Sequence, residues 1–258
     1  MLGENYEHLE TYRNLSILVE CYGLTRDHPG SAAAVEYLLS LQSDEGDIRG
    51  IYADQYSPNY TAASLEMMVK AGYANDPRVL KAYERLLSIR MDDGGWAIPM
   101  RTAGVMTLKE AMAKGTVRPV LSRPSSHWCT GIVLRAMAAH PRYDRSVEAV
   151  EAAMFLKSRM FKADPYTDRR APSHWVGFSY PFWYTDIVSA LDMLSRLEMP
   201  FDDPDVSRAV MFMKALQQDD GSFKLELLRS GRPDGQRWVS LAFCRSMRRF
   251  HGHKLLES

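Results

Sequence analysis

Six aromatic side chains and a histidine fall within the fifteen residues from Pro172 to Asp186, a density that a surface loop rarely carries. Trp175, Phe178, Tyr180, Trp183 and Tyr184 offer ring faces that suit an apolar molecule and can stabilise a passing cation. His174 supplies a group that titrates near neutrality and can act as a general base. Asp186 follows Thr185 at the start of a helical stretch, where a buried carboxyl with a raised pKa could donate a proton. The two are the candidate catalytic pair. Pro124-Ser125-Ser126-His127-Trp128 echoes Pro172-Ser173-His174-Trp175, which adds His127 and Trp128 to the candidate binding residues. Arg237, next to Trp238, could meet an anionic head group. Asp54, Tyr56, Asn59 and Tyr60 occupy the equivalent position in an earlier stretch.

Each of these residues also has a purely structural reading. A histidine at a loop corner bonds backbone, a carboxylate beside a helix N-terminus is favoured by the helix dipole, and an arginine pairs at the surface.

The elements that must hold these residues are helices. Apolar positions recur at three- and four-residue spacing in nine stretches: 12–22, 32–41, 62–71, 78–89, 131–139, 147–160, 186–197, 206–216 and 239–250. No stretch alternates as a strand would. Asp76-Pro77, Asp203-Pro204 and Pro141 mark starts of the second helix of a pair. Thr61, Thr130, Thr185 and Ser240 mark starts of the first.

Those starts are in register. Thr130, Thr185 and Ser240 stand 55 residues apart (185 − 130 and 240 − 185), and a tryptophan precedes each by two: Trp128, Trp183 and Trp238. A shared register is what packing between repeats selects, so these tryptophans also read as architecture. The step from Thr61 to Thr130 is longer, and the surplus falls in 101–120, an insert with room for its own short helix. A turn repeats as well, in Leu41-Gln42-Ser43-Asp44-Glu45-Gly46-Asp47-Ile48, in Ile89-Arg90-Met91-Asp92-Asp93-Gly94-Gly95-Trp96 and in Leu216-Gln217-Gln218-Asp219-Asp220-Gly221-Ser222-Phe223. Asp and Gly end the helix and admit left-handed backbone, and the closing apolar residue packs back on the pair. The copy at Leu156–Phe161 has lost its glycine and acids. Repetition at this length marks stacked units that bury a core only together.

The turn Arg90–Trp96 with Gln217–Phe223, and the start Phe182-Trp183-Tyr184-Thr185, resemble the QW-type repeats of squalene–hopene cyclases and protein prenyltransferase β subunits. The likeness runs over nearly the whole chain. It implies an all-α fold, an α/α toroid with inner helices around a cavity and outer helices around them, and an apolar, isoprenoid-like ligand at the centre. Five first helices and four second ones predict an incomplete or open ring, or one completed by a partner. A similar Gly-Gly-Trp turn occurs in some helical-toroid polysaccharide lyases. The catalytic signatures of the two main relatives are absent: there is no DxDD acid and no Asp-x-Cys for zinc. Asp202-Asp203-Pro204-Asp205 reads as a helix N-terminus.

The totals fit one repeat domain over 1–258. Lys+Arg and Asp+Glu are 32 each, so no net field draws the chain to nucleic acid. Arg245, Arg248, Arg249, His251, His253 and Lys254 read as cations at a helix C-terminus. Cys21, Cys129 and Cys244 lack metal or disulfide spacing, and Met1–Glu10 is acidic, without the features of a signal peptide. No apolar run is long enough to span a bilayer. The expectation is a cytoplasmic protein without metal or cofactor, with a homo-oligomer or completing partner possible. Its function reads as a toroid that binds an apolar ligand, with a protein-binding scaffold and a carbohydrate-active toroid as alternatives.

Overall fold

A computed structural model describes residues 6–49, 55–105, 107–113, 115–228 and 234–252. Eleven α-helices are present among them: α1 Tyr6–Tyr22, α2 Pro29–Ser40, α3 Pro58–Met68, α4 Pro77–Ser88, α5 Pro99–Thr102, α6 Leu108–Ala113, α7 His127–Ala139, α8 Val147–Arg159, α9 Ile187–Arg196, α10 Pro204–Ala215 and α11 Gly235–Gly252. A π-helical turn, Val69–Tyr73, extends α3. The described residues hold no strand, only three isolated bridges. α5 and α6 are the short helices of the 101–120 insert and its approach.

Burial divides the long helices into two layers. α3, α7 and α9 are buried almost all round, whereas α2, α4, α8 and α10 bury one face each. A helix apolar on every side must be surrounded, and one with a single apolar stripe must lie outside. Packing follows this division. The inner helices run in the order α1, α3, α7, α9, α11, and α2, α4, α8 and α10 back onto the first four of them. This is the inner and outer layering of an α/α toroid, with five inner helices and four outer ones. One apolar core runs through it from Tyr12 to Phe250. Gly131 lets α7 approach the chain entering α9, because a Cβ there would lie 2.4 Å from the Thr185 side chain.

The repeated turn has one geometry in its three intact copies. Gly46, Gly94 and Gly221 all take positive φ, 103°, 93° and 81°. The backbone bonds match: Ser43 N–H to Asp47 O, Met91 N–H to Gly95 O and Gln218 N–H to Ser222 O, at 2.9, 2.9 and 2.8 Å. The side chain at the second position donates to the glycine carbonyl each time, from Gln42, Arg90 and Gln217. In the degenerate copy Phe161 takes the left-handed conformation at φ 63° without a glycine.

Helix starts differ from the sequence expectation. α3, α7 and α11 begin before Thr61, Thr130 and Ser240, which therefore lie inside their helices. α7 is capped by Ser126, whose hydroxyl accepts from Cys129 N–H at 3.1 Å, and α8 by Ser146 well after Pro141. The threonines have another job: Thr61 accepts from Ile48 N–H and Thr130 from Trp96 N–H, at 3.1 and 2.9 Å. They clasp the closing residue of the preceding turn to the next inner helix. Thr185 instead donates to Trp128 O of the preceding repeat at 2.7 Å, while Ser240 bonds Gln236 O within its own helix, so the shared register serves fastening between repeats at the threonines and not at the serine. Asp76 and Asp203 do cap α4 and α10, each followed by proline.

Candidate functional site

The expected apolar centre is occupied by charge. Glu66 of α3 and Arg135 of α7 are both 2% exposed and paired at 2.9 Å. Lys70, one turn on from Glu66, bonds Glu66 at 2.6 Å and also bonds Glu20 of α1. Asp192 of α9 accepts from Arg196 at 2.9 Å and from Arg249 of α11. Burial alone would push the Glu66 carboxyl up, yet Lys70 and Arg135 hold it below the usual carboxylate range. Every inner helix thus contributes an ionic side chain to these pairs. The pairs join neighbouring inner helices, α1 to α3, α3 to α7 and α9 to α11, and Lys70 also feels the charges of Arg196 and Asp192, so the inner face of the ring is lined by ionic side chains.

An accessible pocket lies instead where the ends of the arc face each other. The segment 178–184 fills the seam between α1 and α11. Trp183 packs against Tyr12 of α1 with ring centroids 5.2 Å apart, and Tyr180 stacks on Trp238 of α11 at 5.8 Å and 6°. The Tyr180 hydroxyl donates to Glu20 at 2.8 Å. Arg135 anchors the segment from below, donating to the carbonyls of Tyr184 and Phe182 at 3.0 and 3.2 Å. Phe178 is tied to the strand-like stretch before α11, donating to Glu226 O at 2.9 Å and accepting from Leu228 N–H at 2.7 Å. A pocket of about 170 Å³ remains between them. Phe178, Tyr180, Trp183 and Tyr184 supply its aromatic walls, Arg13 and Ile17 of α1 face them, and Leu227 and Leu228 line it as well.

Asp186 lies beside the segment and is 1% exposed. It is the N-cap of α9: one oxygen accepts from Ser189 N–H at 2.7 Å, and the Ser189 hydroxyl accepts from Asp186 N–H at 2.8 Å, a capping box. The other oxygen is buried without a hydrogen-bond partner. Burial pushes this carboxyl up to about 7, with Ser189 and Arg135 pulling the other way. Folded chain therefore holds the proton to near neutrality, while unfolded chain releases it near ~4. The folded state binds more protons in that window, so this group's stabilising contribution is full below about pH 4 and is lost towards pH 7, by up to roughly 1.4 kcal/mol per pH unit. Asp186→Asn keeps a good cap and removes the titration. Urea unfolding of both proteins across that window should show the wild type losing stability relative to the variant as pH rises. A difference that stays flat with pH would exclude this account.

His174 sits in a 3₁₀ turn, Pro172–Val176, and no hydrogen bond joins it to Asp186 among the described residues. Partial burial, and then Arg169, lower its pKa. His127 is stacked on Trp175 at 4.7 Å and buried, with its Nδ1 3.2 Å from Asp164 but out of hydrogen-bond alignment. Burial pushes its pKa down to about 3, so it is neutral. Trp175 is 1% exposed and donates to Lys162 O at 3.0 Å. Trp128 is half-buried against Tyr184, and Trp238 donates to Asp234 at 2.6 Å. Arg237 is exposed and is not among the residues that line the pocket. Tyr56 and Asn59 are buried, Tyr56 beneath the Arg85 guanidinium at 4.6 Å; Tyr60 is half-buried, and Asp54 lies outside the described residues, as do His253 and Lys254.

The candidates thus divide in space. Phe178, Tyr180, Trp183 and Tyr184 line one pocket, Trp238 backs it, and His127 with Trp175 forms a separate buried stack. Arg13 and the ionic residues of the ring interior were not anticipated. The i,i+4 pairs Glu66–Lys70 and Asp192–Arg196, set on otherwise apolar helices, were the signal available for the latter.

No protein-family model matches the chain, and no curated protein matches it. A solved polysaccharide lyase aligns over 96% of this chain and 73% of its own, at a TM-score of 0.47 and 14% identity. No described helix is long and apolar enough to cross a membrane.

Proposed function

We propose that this protein is a ligand-binding toroid whose site is the seam pocket, and that it takes a ring-sized, largely apolar molecule against Phe178, Tyr180, Trp183 and Tyr184. The observation that carries this reading is the pocket itself, at about 170 Å³ and walled by aromatic side chains from one segment and by α1. A cavity of roughly 150 Å³ with apolar walls holds one benzene-sized molecule. A polyprenyl chain does not fit such a volume, and the ionic side chains on the inner helices make the ring interior a poor alternative for it. An isoprenoid would enter with no more than a terminal unit. The reading assigns binding and no reaction: Asp186 caps a helix, and His174 stands apart from it.

Titration of the full chain with benzyl alcohol, followed by tryptophan fluorescence, tests the proposal. Saturable quenching is expected, and it should be lost in Trp183→Ala and in Ile17→Trp, which fills the pocket from the other wall. Far-UV circular dichroism confirms that both variants keep their helices. Undiminished binding in folded Ile17→Trp would defeat the reading. The carbohydrate-active alternative draws support from the same aromatic platform, because ring faces also stack on a single sugar. Saturable binding of a methyl pyranoside in place of benzyl alcohol would favour it.

A further inference from the structure

The charges around the seam pocket are unequal, and that asymmetry says more about its ligand. Among the described residues that line it, Arg13 is the one ionised side chain, and no carboxylate lines it. Its guanidinium carbon stands over the Trp183 ring, 5.1 Å from the ring centre, a cation–π contact that holds the side chain beside the other aromatic walls. The nearby acids are already engaged. Glu20 accepts from Tyr180 and pairs with Lys70, and Asp234 accepts from the Trp238 indole. Glu10 meets Arg13 from the solvent side and is itself 55% exposed, so the pair is a surface ion pair of little strength. It occupies one terminal nitrogen of a guanidinium that carries five N–H donors in a fork suited to carboxylate.

We infer that the seam pocket selects a ring-sized monoanion, its ring against the aromatic walls and its carboxylate on Arg13. This rests on the seam pocket being the binding site proposed above. The aromatic walls exclude water from one side of the guanidinium, which strengthens a charge-assisted hydrogen bond there relative to bulk solvent. A cation of the same shape would meet Arg13 across the pocket and be repelled. Bound in this way, the ligand touches α1, the 178–184 segment and Leu227–Leu228 together, and so bridges the two ends of the arc.

Calorimetric titration of the full chain with benzoate, benzyl alcohol and benzylammonium at one low ionic strength tests this. Benzoate should bind at least tenfold tighter than benzyl alcohol, with benzylammonium the weakest. In Arg13→Gln the benzoate to benzyl alcohol preference should fall to about one. Glu10→Gln, which frees the guanidinium, should raise benzoate affinity, and Arg145→Gln, at an exposed pair with Glu198 outside the pocket lining, should not change it. Equal binding of benzoate and benzyl alcohol by the wild type, or a preference that survives Arg13→Gln, overturns the monoanion inference while leaving the pocket standing. Binding of none of the three probes overturns the pocket as well.

Discussion

Arg135→Met should destabilise the protein by about 3–5 kcal/mol, the usual cost of removing one partner from a buried ion pair. Arg135 is 2% exposed and pairs with Glu66 at 2.9 Å. Methionine fills most of the volume, so the loss is electrostatic: Glu66 keeps Lys70 but loses its other cation in a medium that solvates charge poorly. The Phe182 carbonyl loses its Arg135 donor as well, and Tyr184 O is left with the Ser189 hydroxyl at 3.4 Å. For a chain of this size the thermal midpoint should fall by roughly 10 °C, read by circular dichroism. Glu66→Gln in the same chain should recover part of the loss, because the stranded charge is gone. If the single variant unfolds within about 1 kcal/mol of wild type, Arg135 is not what holds the ring interior. Benzyl alcohol binding should weaken along with stability, since the same guanidinium anchors the pocket segment.

The second large effect is expected at Trp96, the residue that closes the repeated turn. It is fully buried, its indole N–H donates to Leu86 O at 2.7 Å, and its backbone N–H is held by Thr130. Trp96→Ala empties a large site between α4 and α7, for which about 3–5 kcal/mol is the common range. Trp96→Phe should cost less, chiefly the lost bond to Leu86 O, which keeps its Ile89 N–H donor at 3.3 Å, about 0.5–1.5 kcal/mol. Phe223 closes the corresponding turn before α11 and is also buried, at 5% exposure. Phe223→Ala should fall below Trp96→Ala, because no outer helix backs α11 among the described residues and its surroundings can relax. Chemical denaturation of the three variants orders them. Equal losses for Trp96→Ala and Phe223→Ala would mean that the outer layer adds nothing to the turn.

How much could be read in advance depended on how far apart the interacting residues lie. The repeated turns were legible because their determinants are local: Gly46, Gly94 and Gly221 need left-handed backbone, and each is bonded within four residues. The nine long helices were legible from apolar spacing for the same reason. Their starts were less so. Thr130 looks like a cap, but Ser126 four residues earlier takes that role and Thr130 fastens Trp96, a contact spanning 34 residues that spacing does not reveal. The resemblance to cyclase and prenyltransferase repeats carried the layered helical fold; what fills its interior lay outside the motif.

The sequence by itself determined the helix pairs, their turns and the aromatic richness of residues 175–184, since each follows from side-chain type and short-range backbone geometry. The tertiary structure decided which of those aromatics face a pocket, and it put Arg13 over the Trp183 ring and charge onto the inner helices. Those outcomes hang on partners separated by 69 residues for Glu66 and Arg135, 57 for Asp192 and Arg249, and 160 for Glu20 and Tyr180. Closing an arc brings such groups together in a low-dielectric interior, where each must find its partner or destabilise the fold. No window of the sequence short enough to read as a motif contains both members.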